Sequence, residues 1–223
     1  MKIAKLLSNT WSRSFSLRAA ASLSLLVMFV SGCGGGKIPE THYYTLKFPP
    51  PAPMSDPKTT LALDIEPFKS AMNLRDDRIT YYKSPTEFSY YEYHHWNPDP
   101  ATMLTELTRR RLNEMGVFAH VRTVPSHEPN DFILRGNLLN FEELDYETGG
   151  KVRVALDLRL VLTRDQKVVW SDRREVVRSI DGKGVDGVVN ALSAASDQLL
   201  SETLPGLAAA AQAEVKETPQ KSQ

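Results

Sequence analysis

Cysteine is almost absent from this chain: Cys33 is the only one in 223 residues. A single thiol excludes an internal disulfide and a thiolate metal cluster. Nor is there an apolar run of membrane-spanning length. The stretch from Ala19 to Val30 has twelve residues, against the roughly 20 that a crossing helix needs. Charge is not skewed either, with 27 Lys and Arg against 27 Asp and Glu. The chain therefore carries no overall positive field to gather nucleic acid or anionic headgroups. No P-loop and no GxSxG occurs, and Asp181-Gly182-Lys183-Gly184 lacks the spacing of a phosphate cradle. His94-His95 is the only histidine pair. Neighbours on a strand point opposite ways, so the two do not share one metal ion. No metal, cofactor or catalytic constellation is expected.

What is present begins with Val30-Ser31-Gly32-Cys33 at the end of that short apolar stretch. Lys2, Lys5, Arg13 and Arg18 precede it with no acidic residue. Together these form a bacterial signal peptide with a lipoprotein processing site. Residues 1–32 are predicted to be removed and Cys33 to be acylated as the first mature residue. Removing four basic residues leaves 23 Lys and Arg against 27 Asp and Glu, a net −4, in a mature chain of 191 residues. That length suits one ordinary domain. With the thiol acylated, stability must come from the core alone. Gly34, not Asp, follows the cysteine, which suggests the outer membrane, facing the periplasm.

Residues 33–40 read as an acylated cysteine and a flexible tether rich in glycine. The proline-rich Pro49-Pro50-Pro51-Ala52-Pro53 reads as a stiff, extended link. Strands are predicted at 42–46, 61–65, 78–82, 87–93, 117–121 and 132–144. Ser84-Pro85-Thr86 joins the third and fourth as a hairpin. The clearest strand alternates Val152, Val154, Leu156, Leu158, Leu160 and Leu162 with polar residues, and a turn at 164–167 leads into 168–180. Asp99-Pro100 starts a helix that Gly116 stops. A second helix is predicted from about Val185 to Leu204, ending at Pro205-Gly206. The expectation is a single α/β domain of α+β type over residues 41–206. Its sheet is mixed and largely antiparallel, of about seven strands, with two main helices packed on one face. Residues 207–223 are expected to form a disordered tail.

Seven aromatic residues fall between Tyr81 and Trp96. They serve either as a gripping surface or, at alternate positions, as core. Arg109-Arg110-Arg111 reads as a solvated helix face or a docking patch for acidic residues. Glu142, Glu143, Asp145 and Glu147 form the only acidic cluster after a strand.

Four segments in order resemble the ABC-type transport auxiliary lipoprotein family. They are Tyr43-Tyr44-Thr45-Leu46 after the processing site, Asn73 to Lys83, Tyr90 to Trp96, and the capped helix that follows. The chain departs from the family pattern at Lys83, where arginine is usual, and at Asn97, where alanine is usual. The resemblance spans about residues 33–204. It implies an outer-membrane lipoprotein that serves, without catalysis, an MCE-type lipid transport system supporting envelope integrity. An MCE-domain protein linked to the inner membrane would be its partner, and homo-oligomers are compatible with the family. On this reading Tyr90, Tyr91, Tyr93 and Trp96 are candidate partner-binding residues, with the outer face of the 151–163 strand. The alternative is a lipid-anchored periplasmic enzyme using the acidic cluster, or an activator of cell-wall synthesis acting on peptidoglycan.

Overall fold

The computed structural model describes residues 39–50, 59–147 and 149–217, with side chains as far as 214. The signal segment, Cys33, most of the tether and Pro51 to Pro53 lie outside the described residues.

The sheet is built around one long strand, β7 (Phe132–Leu144), which uses both of its edges. Along one edge it pairs antiparallel over its whole length with β8 (Lys151–Leu162), which pairs in turn with β9 (Lys167–Ser179). Along the other edge it takes three parallel partners end to end. These are β2 (Ala62–Ile65), β3 (Lys69–Ser70) and β4 (Arg78–Ser84). Beyond β4 comes β5 (Glu87–Trp96), in a hairpin turned at Pro85-Thr86, and then β1 (His42–Tyr44), parallel to β5. The strand β6 (His120–Thr123) flanks β2. The sheet is mixed, with nine strands against the roughly seven expected. The extra two-residue β3 carries no sequence signal, because it is too short to show a period.

Alternation makes β8 the floor of the core. Val152, Val154, Leu156, Leu158 and Leu160 are all fully buried on the helix-covered face. The pattern of β7 is less regular because its register shifts between Leu138 and Asn140. Before that bulge Phe132, Leu134 and Leu138 face the helices; after it Phe141 and Glu143 do. Gly136 is required by close approach: a Cβ there would meet the Phe68 ring at 2.4 Å.

Helix α1 (Pro100–Met115) starts and stops where its sequence says. Asp99 accepts a hydrogen bond from the Thr102 amide at 3.1 Å and Pro100 holds the first position. Gly116 closes it in the left-handed region, at φ 61°. That turn drops Val117 and Phe118 into the core, so the next strand forms at 120–123 rather than 117–121.

Helix α2 (Gly184–Glu217) corrects the sequence reading. It continues through Pro205-Gly206, and residues 207–217 are helix rather than a disordered tail. Residues 218–223 lie outside the described residues. Proline inside a helix costs about 3 kcal/mol, but Leu204, Leu207, Ala208 and Ala211 beyond and around it are buried. Trp170 of β9 packs against the backbone of Gly206, where a side chain would crowd it. Tertiary burial thus outweighs the local stop signal. Both helices share one apolar core with the sheet, and an Arg111–Asp197 ion pair joins them.

Candidate functional site

The aromatic hairpin β4–β5 divides between two faces of the sheet. On the helix side, Tyr91 donates its hydroxyl to Glu143 at 2.6 Å, stacks obliquely on Tyr81 and meets His94 edge-on. Burial, and then the Glu143 carboxylate, push the Tyr91 phenol far above its usual range. Burial likewise raises Glu143, against the lowering effect of the Tyr91 hydrogen bond. Deeper on the same side Trp96 lies edge-on against Phe141 and is 4% exposed. Trp96 is therefore a core residue, and the expectation that it contacts a partner is corrected. It ends a strand whose register with Arg78 and Thr80 is broken by a bulge, and that break turns its ring inward.

The opposite face carries a strip of rings, half-buried at Tyr82 and Tyr90 and exposed at Phe88. Phe88, 45% exposed, sits edge-on to Tyr90 and tilted to Tyr82. Arg78 lies 4.6 Å over the Tyr90 ring and Arg153 lies 5.8 Å from the centre of Tyr82. Tyr90 also donates to the Asn73 carbonyl. Tyr93 is exposed. Of the four sequence candidates, Tyr93 thus is exposed, Tyr90 is half-buried on the face away from the helices, Tyr91 is half-buried and engaged with Glu143, and Trp96 is internal. Phe88 and Tyr43, 66% exposed at the β1 edge, are missed by the sequence reading. The signal was available for Tyr43 only through knowing that β1 is an edge strand.

The outer face of β8 continues this surface as a polar lattice. Arg153 reaches from it to Glu142, with guanidinium–carboxylate contacts of 2.7 and 2.6 Å. Glu142 is fully buried and also accepts from Asn140 and the Phe141 amide. Asp157 and Arg159 pair further along the strand.

The acidic cluster does not converge. Glu142 and Glu143 are neighbours on β7, so they point to opposite faces, each already engaged, and Glu147 pairs with Lys151. Two carboxylates so placed cannot flank one bond of a substrate as a glycosidase pair does. The histidines also diverge. His94 Nδ1 lies 2.9 Å from the Tyr44 hydroxyl, whereas His95 Nδ1 lies 3.1 Å from Asp77. Burial lowers His94, which His42 reinforces. No group of three or more metal-ligating side chains occurs among the described residues. The arginine triplet is spent on neighbours: Arg109 on Glu106, Arg110 on Glu114 and the Pro49 carbonyl, Arg111 on Asp197 and Glu114. A cleft of about 430 Å³ opens beside α1, lined by Leu46, Phe48, Met103 and Leu107 with Arg110 at its rim.

A mixed sheet with two helices on one face and an aromatic strip on the other is the class these features define. The chain belongs to the ABC-type transport auxiliary lipoprotein component family, whose model matches residues 44–203. Its fold is similar to protein XCC0632 from Xanthomonas campestris, at 21% identity and a TM-score of 0.67, covering 79% of this chain and 99% of that one. It is also similar to the hypothetical protein CT253 from Chlamydia trachomatis, at 9% identity and a TM-score of 0.51, covering 67% and 96%. No curated protein matches the chain.

Proposed function

We propose that this protein is an outer-membrane lipoprotein, acylated at Cys33, whose periplasmic domain is a non-catalytic docking component of an MCE-type intermembrane lipid transport system. The observation that carries the reading is a family match that begins eleven residues after the expected lipoprotein processing site and spans β2 through β9 and most of α2. The physical logic is confinement. Two or three acyl chains, at about 0.8 kcal/mol per buried methylene, hold the domain essentially permanently in a thin layer under the bilayer. A partner that spans the periplasm then meets it at a high effective concentration. Tyr90 and Phe88, with the polar outer face of β8, form the proposed contact. Tyr combines an apolar ring with a hydrogen-bonding tip, which suits a surface that must be wet when free and dry when bound.

The test is Cys33→Ala. The variant is expected to fold, to leave the membrane fraction, and to lose envelope integrity, measured as detergent sensitivity of the cells. Full protection by a soluble variant at normal abundance would defeat the confinement reading. Extraction of the native protein in detergent is expected to bring an MCE-domain protein with it, and Tyr90→Ala to weaken that capture.

A further inference from the structure

We infer that the β1 edge of the sheet, centred on His42 and Tyr43, rests on the headgroup layer of the bilayer to which the chain is anchored. The inference rests on acylation of Cys33 and adds an orientation to it. His42 lies nine residue steps after Cys33, so β1 begins at most about 32 Å from the anchored residue whatever the conformation between them. The sheet itself imposes a gradient. Counting across β1, β5, β4, β7, β8 and β9 gives six strands, so the β9 edge lies about 24 Å beyond β1 at the usual strand spacing. The edge that follows the tether directly along the chain is the aromatic one.

At that edge β1 pairs, among the described residues, only with β5. His42 is exposed and its ring stacks on His94 at 5.2 Å. Tyr43, 66% exposed, tilts over His95, and Tyr93 on the neighbouring strand is 38% exposed. Tyrosines with an apolar body and polar tip are the side chains that settle at a membrane–water interface. By contrast β9 exposes Val168 and Val177 among Ser171, Arg173 and Glu175, and no tyrosine. The occupant is a bilayer with no net headgroup charge. Asp77 and Glu92 flank the aromatic edge with exposed carboxylates, which do not favour an anionic surface. Contact thus comes from ring insertion into the headgroup layer, not from charge attraction.

The test uses the full acylated chain in phosphatidylethanolamine–phosphatidylcholine vesicles that carry a gadolinium-labelled headgroup. With Cys33 acylated, a single introduced cysteine carries a nitroxide label. Thr41→Cys and Ser171→Cys place it beside Tyr43 and on β9, both at exposed positions. The label at 41 is expected to relax severalfold faster than the label at 171. Adding Tyr43→Ser and Tyr93→Ser, both at exposed sites, should remove most of that difference, and adding phosphatidylglycerol should reduce it. Equal relaxation at 41 and 171, or a difference indifferent to the serine substitutions, overturns the orientation while leaving the anchor standing. Failure of the chain to float with the vesicles overturns both.

Discussion

Glu142 is fully buried yet lies on the sheet face away from the helices, and Arg153 is what makes that tolerable. Removing one member of a buried pair leaves an unbalanced charge, at a cost of about 3–5 kcal/mol. Arg153→Met is therefore expected to lower the urea midpoint by a change worth about 3 kcal/mol, and Arg153→Met with Glu142→Gln to recover much of it. If the single variant unfolds at the wild-type midpoint, the pair carries no such role. Asp76 shows the acid side of the same chemistry. Its bidentate bond to Arg78 holds its carboxyl down at about 2, from an ordinary 3.8. A carboxyl that binds its proton less readily when folded contributes stability above the ordinary value. That contribution drains as pH falls from 3.8 toward about 2. Glu143 runs the other way: burial raises it, so its ionisation weakens the fold as pH rises above the ordinary glutamate range. Thermal unfolding followed against pH is expected to show a flatter acid limb in Asp76→Asn. Glu143→Gln is expected to lose the decline above that range. Neither environment is legible in sequence, because Arg78 follows Asp76 in many solvated turns and the Tyr91–Glu143 contact joins strands 52 positions apart.

At the scale of elements, local signals succeeded where one residue type governs one turn. Asp99, Pro100 and Gly116 set both ends of α1, and the strict alternation of β8 identified its buried face before any coordinates. They failed where tertiary packing overrode them. Pro205-Gly206 reads as a stop, yet the helix continues because Leu207, Ala208 and Ala211 bury against the sheet and Trp170 covers Gly206. Leu207→Ala is expected to cost about 2–5 kcal/mol, read from the urea midpoint; a loss below about 0.5 kcal/mol would show that the segment after Pro205 is not part of the core. The hairpin illustrates a subtler failure. Its aromatics are dense enough to predict a surface, but a bulge in β5 decides which rings face out, turning Trp96 into the core and leaving Phe88 and Tyr90 outside. Bulges depend on pairing partners, and a single strand carries no trace of its partner's register.

For the whole molecule, the arrangement separates three jobs. The helix-covered face supplies the core, the outer face of β4, β5 and β8 offers aromatic and arginine-rich surface, and the β1 edge lies closest along the chain to Cys33. A chain with a net charge of −4 after removal of residues 1–32 gains nothing from a uniformly anionic surface. On the proposed orientation, ring contacts rather than charge hold it at the bilayer. Because the core is complete among residues 41–217, Cys33→Ala is expected to unfold at the same urea concentration as the acylated chain, even as it leaves the membrane.

By itself the sequence determined the family resemblance, the ends of α1 and the buried face of β8. Each depends on residues adjacent in the chain or spaced at one period, so short-range sterics and alternation suffice. Tertiary structure alone decided that α2 outlasts its proline, that Glu142 and Glu143 part company, and that Trp96 is internal while Tyr43 stands at an open edge. Those outcomes turn on which strand lies beside which, and pairing between distant segments is settled by the burial the whole sheet achieves.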